Sequence, residues 1–395
     1  MRGGTSKAVV FRRDDLPTDP AAWDAIFLAV MGSPDPNGRQ LDGMGGGISS
    51  LSKVCVVGPS TRPDADVDYT FAQVSVKEAS VDYGSNCGNM SAAIGPFAVD
   101  EGLVDAPRNG EAAVRIHNTN TSKIIVSRFE IRDGCAEVEG DLALDGVVGT
   151  GAAVRLEFRE PGGAGTGRLL PTGRARDRLD VPGLGAIDAS LVDAANPCVF
   201  VSAADLAKSG AELPDALEAD AAFLDAMERI RRAASVAMGL APDWETARRI
   251  ASVPKVAMVR APRDMVTLSG RRLSAAEMGI SIRMISMGQP HRAVPITGAI
   301  CLAVATRLAG SVPAALAAPA GHAAPAGLAV PVGPIAVAHP SGLTVVDAQV
   351  DHADDPAHAH AAYGAVYRTA RRLFEGHVFY PSRSVARAGL PTAAE

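Results

Sequence analysis

Asn86-Cys87-Gly88-Asn89-Met90-Ser91-Ala92-Ala93 places a cysteine among small residues at the start of an apolar run. The run reads as a helix over about 88–101 that ends at Gly102, with Pro96 expected to kink or shorten it. N–H groups at a helix start have no partner inside the helix, and the dipole there favours negative charge. A thiol at that place is pulled toward thiolate, and a carboxylate can dock on the same N–H groups. A buried structural cysteine with asparagine capping the helix fits the same letters, so the spacing by itself leaves both readings open.

Working outward, short β-like runs separated by Gly, Asp, Asn and Pro surround this helix: 8–11, 54–57, 70–76, 114–116, 124–131 and 153–158. The second half repeats the theme at 199–201, 256–259, 281–286, 335–338 and 344–350, with a second apolar helix after Pro295-Ile296-Thr297-Gly298 that stops near Gly310. Helices that are small or apolar all round are buried. The pattern predicts an α+β protein of two similar domains, each a curved sheet shell around a central helix. The border falls near 173–182, giving an N-terminal domain 1–178, a C-terminal domain 179–380 and a tail 381–395. Surface helices are expected at 217–238 and 357–374, and the Ala/Pro/Gly-rich segment 314–333 reads as a loop.

Composition narrows the function classes. The 395 residues are 47% hydrophobic and 21% charged, with a net charge of -6 that gives no basic footprint for nucleic acid. No apolar stretch reads as a membrane span and no signal peptide is evident, so a cytoplasmic protein is expected. The five cysteines form no CxxC pair and suggest neither a zinc site nor a disulfide framework. Only six of the 38 Lys and Arg residues are lysine, so a retained lysine can mark a need for a smaller, titratable cation.

Three more segments carry candidate chemistry. The loop Asp42-Gly43-Met44-Gly45-Gly46-Gly47-Ile48-Ser49-Ser50-Leu51-Ser52-Lys53 runs into a strand. It lacks the ending of a phosphate-binding P-loop and suits a carboxylate better, though a flexible turn with a solvated lysine is the plainer reading. Arg2-Gly3-Gly4-Thr5-Ser6-Lys7 is a small cationic loop whose hydroxyls suit an anion. Met287-Gly288-Gln289-Pro290-His291 leads to Thr297 and Gly298, whose N–H groups open the second helix, while Lys255 is a lesser candidate. His352, His358 and His360 lie in a polar stretch without cysteine partners and read as surface residues.

Taken in order, these segments resemble the PrpF family, within the diaminopimelate-epimerase-like fold. Matching pieces include Met1–Lys7, Asp42–Gly46 with Ser52-Lys53, Asn86–Asn89, Gly167–Gly173, Pro254–Ala257, Gly288 with His291 and Thr297–Ala299, and His339–Gly342. The resemblance implies an active site in the cleft between the domains and an isomerase that moves a proton in a small unsaturated di- or tricarboxylate, with neither cofactor nor metal. It implies that Lys53 and Cys87 form the acid–base pair, with Thr5, Ser6, Ser52, Asn86, Gly88, Asn89, Met90, His291, Thr297 and Gly298 holding substrate. A 2-methylaconitate-type substrate is the first expectation. A 4-oxalomesaconate tautomerase and a non-enzymatic accessory of an aconitase-like dehydratase are the alternatives. The implied partner is the small polycarboxylate, with a homodimer as the candidate assembly.

Two departures stand out. Family members carry a short apolar strand ahead of the Arg-Gly-Gly-Thr-Ser motif, so the expectation is a start misassigned inside that motif or a first domain short of an edge strand. Ala8 also replaces the family's glycine after Ser-Lys. The parent fold opposes two thiols, whereas the second helix here opens on Thr297, which disfavours a two-thiol racemase.

Overall fold

In the computed structural model the described residues are 1–83, 87–250, 253–286, 288–318 and 333–381. Asn86, Met287, most of the expected loop 314–333 and nearly all of the expected tail 381–395 lie outside them. The chain divides into two compact units, Met1–Leu156 with Arg368–Glu395, and Glu157–Tyr367.

The first unit opens with a tight hairpin, β1 (Arg2–Gly3) and β2 (Ser6–Lys7), paired Gly3 to Ser6 around the turn Gly4-Thr5. Gly4 has φ +51, and a Cβ there would sit 2.3 Å from Asn89 Oδ1, so glycine is required on both counts. β3 (Val9–Arg12) leads through helix α1 (Trp23–Met31) to β4 (Lys53–Pro59), which lies parallel to it. β5 (Val67–Val74) returns antiparallel, and helix α2 (Gly88–Asp100) crosses to β6 (Gly110–Asn118), parallel to β5. β7 (Lys123–Arg132) closes the run antiparallel. Both parallel pairs need a crossover, and each crossover carries a helix.

The period of two along a strand sorts the side chains. Val54, Val56, Ala72 and Val74 point to α1 and form a core with Trp23, Ile26, Phe27 and Val30. Lys53 and Cys55, with Tyr69, Phe71 and Gln73 across from them, alternate onto the other face, where α2 packs. Every residue of α2 from Met90 to Val99 is buried. The helix runs through Pro96 to Asp100 without being shortened there. Gly95 lets it lie close on β7, since a Cβ would meet Ser127 Oγ at 2.6 Å.

The second unit follows the same plan. A hairpin of β8 (Asp177–Val181) and β9 (Gly185–Ala194) pairs onward to β10 (Asn196–Ser202). Helix α3 (Ala221–Ala237), capped by the Asp220 carboxylate accepting from Phe223 N at 2.9 Å, crosses to the parallel strand β11 (Lys255–Arg260). β12 (Ile280–Ser286) pairs antiparallel to β11. Helix α4 (Ile296–Arg307) then crosses to the parallel strand β13 (Ile335–His339). β14 (Gly342–Asp351) and β15 (His360–Arg368) finish the sheet. Phe223, Met227, Ile230 and Ala234 of α3 bury against Leu179, Val181, Val256 and Met258. Residues Gly298–Ala305 of α4 are all buried. Each unit therefore repeats strand, helix, parallel strand, antiparallel strand, helix, parallel strand, with its second helix enclosed by sheet, as the α+β reading of two similar shells expects.

Three expectations are corrected. The border lies at Leu156/Glu157 and not at 178/179, because the Gly/Pro-rich stretch contributes β8, which pairs along its whole length with β9. The chain then returns to the first unit, where Ala370 pairs with Gly3, so 368–380 does not belong to the second domain. The segment expected as a helix over 357–374 is instead β15, whose Gly364 meets α4: a Cβ there would sit 2.4 Å from Ile300 Cγ2. The expected surface helix at 217–238 forms, as α3 preceded by the short helical turn Pro214–Glu218.

Candidate active site

Lys53 begins β4 and is only 8% exposed. Its amine donates to Gln73 Oε1, from the residue directly opposite on β5, and lies 5.0 Å from the centroid of the Phe71 ring. Gln73 is itself held, because its amide nitrogen donates to Ser52 O at 2.8 Å and Ser49 O at 3.0 Å. Ser52 turns away from this group. Its side chain is fully buried, its hydroxyl donates to Val74 O at 2.9 Å, and it accepts from Gln40 Nε2 at 2.6 Å. The hydroxyl of Ser52, a residue expected to help hold substrate, ties the glycine-rich loop to β5. Gln40 completes that clamp by donating to Ser33 Oγ and accepting from Gly47 N.

Cys87 is the N-cap of α2, half-buried and in an extended conformation. Its carbonyl accepts from Ser91 N at 2.9 Å and Ser91 Oγ at 3.1 Å. Helix geometry leaves the N–H groups of Gly88, Asn89 and Met90 without partners inside the helix. The Met90 side chain is buried in the core, so only its N–H is a candidate contact. Asn89 Nδ2 donates to Thr5 Oγ1 at 3.1 Å, and its Oδ1 accepts from Arg368 Nε at 3.2 Å. Thr5 is exposed and Ser6 is buried on the same hairpin. The hairpin can lie on α2 only because Gly3 has no Cβ, which would come 2.6 Å from Asn89 O.

On the same face of the sheet as Lys53 lies a buried pair that the sequence did not single out. Cys55 Sγ is 3.8 Å from Tyr69 Oη, and Tyr69 also hydrogen-bonds Ser91. Burial pushes the Cys55 thiol up to about 12, and a charge on Cys87 pushes it the same way, against a smaller opposing pull from Lys53. Burial likewise holds the Tyr69 phenol well above its ordinary range, with Cys55 and Cys87 adding to it. Cys55 and Tyr69 therefore stay neutral, yet Cys55 feels both Lys53 and Cys87. Cys55 is thus a buried neutral thiol on the face of the sheet that carries Lys53 and on which α2 packs.

Arg368 is a further residue that sequence reasoning missed, since it falls in the segment expected as a helix. It is 5% exposed, and burial lowers its guanidinium to about 10. A cavity of about 1210 Å³ in the same unit is lined by Val9, Phe11, Phe97, Arg372 and Phe374, and none of the predicted site residues lines it. Among the described residues no group of His, Cys, Asp and Glu is placed to hold a metal ion, and no helix is long and apolar enough to cross a membrane.

In the second unit, α4 is capped by Pro295, so its first N–H groups are those of Ile296, Thr297 and Gly298. Pro295, rather than Thr297, therefore holds the cap position that Cys87 holds in α2. A Cβ on Gly298 would lie 2.7 Å from Met284 Sδ. His291 is half-buried, with its N–H on Met284 O at 2.8 Å and its Nε2 buried without a hydrogen-bond partner among the described residues. Burial lowers its imidazole below the ordinary range, and the charge of Lys255 adds to this. His352, His358 and His360 are exposed; His358 pairs with Asp355 at 2.7 Å and His360 with Asp351 at 3.7 Å.

The PrpF protein family model matches residues 1–381. The chain belongs to the PrpF family. It is 40% identical over 386 residues to a 3-methylitaconate isomerase from Eubacterium barkeri, covering 96% of this chain and 95% of that one. It is 40% identical over 392 residues to a 2-methyl-aconitate isomerase from Cupriavidus necator, covering 96% of each. A 4-oxalomesaconate tautomerase from Pseudomonas putida is 39% identical over 378 residues, covering 96% of this chain and 94% of that one. The crystal structure of a methylitaconate-delta-isomerase superposes with a TM-score of 0.87 at 38% identity, over 100% of this chain and 96% of that one. This member of the family is a small-molecule isomerase.

Proposed function

We propose that the protein is a cofactor-independent isomerase of a small unsaturated di- or tricarboxylate, 2-methylaconitate being the first substrate to try, with Lys53 and Cys87 as its acid–base pair. The observation that supports this best is that Lys53 stands on the face of β4 against which α2 packs, while Cys87 caps that helix beside N–H groups that have no partner inside it. One of the pair removes a proton from a carbon next to a carboxylate. The electron pair delocalises into the carboxylate and the adjacent double bond. The other group protonates the far carbon, or the original carbon after bond rotation, so atoms and electrons balance without an external acceptor. The charge that builds up on the carboxylate is met by the N–H groups at Gly88 and Asn89, each well-aimed donor contributing about 3 kcal/mol. Asn89, Thr5 and Ser6 are assigned to substrate binding, as are the N–H groups at Thr297 and Gly298, with His291 as a further contact.

A keto–enol tautomerase of 4-oxalomesaconate is the second reading, favoured by relatives of nearly equal identity that are named for action on oxalomesaconate. Incubating the purified, chelator-treated protein in D₂O with 2-methylaconitate, methylitaconate, aconitate or 4-oxalomesaconate, and following each by ¹H NMR, separates the two. Isomerisation with deuterium uptake at the allylic carbon of 2-methylaconitate supports the first reading. Turnover of 4-oxalomesaconate alone supports the second. Inertness toward the whole panel contradicts both.

A further inference from the structure

The side chain of Gln73 presents a neutral amide, and its amide nitrogen is bound to two backbone carbonyls. The donations to Ser52 O and Ser49 O fix which end is nitrogen, since an inverted amide would set oxygen against oxygen. The carbonyl end is left facing the amine of Lys53 across the ladder, in the Lys53–Gln73 register pair. We infer that Gln73 is the positioning residue of Lys53: it holds the amine through one N–H whether the lysine is protonated or neutral, and leaves the lone pair of the neutral form for the substrate. The inference rests on the assignment of Lys53 to proton transfer.

The chemistry explains why the partner is neutral. A lysine amine carries two N–H donors even after losing its proton, so a carbonyl acceptor anchors both states. A carboxylate in the same place would favour the ammonium form strongly and keep the lone pair occupied. The Phe71 ring on the other side adds only a modest preference for the cation. The glycine-rich loop has a role in this as well. It supplies the Ser49 and Ser52 carbonyls that hold Gln73, and the Gln40–Ser52–Val74 hydrogen bonds keep that loop in place.

With six lysines in the chain, protein labelled with ¹³C at the lysine ε-carbon gives few enough signals to follow each one by pH titration without substrate. Lys53→Arg identifies the signal. In Gln73→Glu, which keeps the side-chain size but sets a carboxylate oxygen against the Ser49 and Ser52 carbonyls, so that circular dichroism must first show an unchanged fold, the Lys53 midpoint is expected to rise by about 1–3 units over the unsubstituted protein. The limb of the kcat/KM–pH profile that belongs to Lys53 should move in the same direction. In Gln73→Leu, kcat toward 2-methylaconitate, or toward whichever of the four acids turns over, should fall roughly 100-fold with KM little changed. An unmoved Lys53 midpoint in Gln73→Glu overturns the inference. Undiminished turnover in Lys53→Ala overturns the underlying assignment instead, and the substrate-free titration tells the two failures apart.

Discussion

Helices α2 and α4 occupy equivalent places in the two units. Each crosses between parallel strands, each is buried nearly all round, and each depends on close approach to its sheet. Their first residues differ. α2 is capped by Cys87 and packs against β4, which carries Lys53 and Cys55, while Tyr69 of β5 hydrogen-bonds its Ser91. α4 is capped by Pro295, which has neither a thiol nor an N–H, and its neighbouring titratable groups are His291 and Lys255. The two starts share the ability to bind an anion through N–H groups, and the proposed proton-transfer pair, Lys53 and Cys87, belongs to the first. A duplicated scaffold thus presents a helix start in both copies, and the proposal places proton transfer at the first.

The sharpest way to break that contrast is to remove the proton-transfer groups. Lys53→Ala and Cys87→Ala should each lower kcat/KM by at least about 10³-fold, with unchanged circular dichroism. Lys53→Arg should do the same, because arginine does not give up its proton. By contrast, Thr297→Pro in the first turn of α4, which removes one of the assigned N–H groups where proline is tolerated, should act mainly on KM, raising it roughly 10-fold with kcat within a few-fold, as lost uniform binding does.

A second test compares Cys87 with Cys55. Cys55 is fully buried and held as a neutral thiol, so Cys55→Ala should keep activity within a few-fold at a stability cost of about 1 kcal/mol. Iodoacetamide should label Cys87 and inactivate the protein while sparing Cys55, as peptide mass mapping would report. Labelling of Cys55 with Cys87 untouched would reverse the roles of the two thiols.

The glycines that seat the hairpin and the helix give a third comparison. A Cβ on Gly3 runs into the backbone oxygen of Asn89, which cannot move without shifting α2, so Gly3→Ala should cost about 2–3 kcal/mol and activity with it. A Cβ on Gly298 meets the flexible end of Met284, and Gly298→Ala should cost under about 1 kcal/mol. Urea denaturation measures both.

The smallest effect concerns His291. Its imidazole titrates below the ordinary 6.5 in the folded chain, so the unfolded chain binds the extra proton first as pH falls. Stability from this group is complete above about pH 6.5 and declines on acidification through the folded value. His291→Gln should flatten that part of the stability–pH curve.

Much of this was legible in the sequence because it rests on local rules. Strand runs such as 54–57 and 256–259 are apolar, β-branched and bounded by turn residues, and both helices are small-residue runs. The thiol at the start of α2 follows from Cys87-Gly88 alone. What was not legible depends on pairing. That Gln73 faces Lys53, and Tyr69 meets Cys55 and Ser91, follows only from the β4–β5 register and the packing of α2 on it. That the Ser52 hydroxyl is taken up by Gln40 and Val74, while Lys53 next to it faces Gln73, is likewise a matter of pairing. Residues 360–368 have the alanines of a helix, but they pair with β14 and place Gly364 against Ile300, a tertiary demand that outweighs propensity.

The most direct measurement follows hydrogen–deuterium exchange by ¹H NMR at the allylic carbon of 2-methylaconitate, or of whichever acid the unsubstituted protein isomerises, in Lys53→Ala and Cys87→Ala. The account predicts exchange and isomerisation with the unsubstituted protein and neither with either variant, both variants being folded. Full exchange with both variants would contradict it.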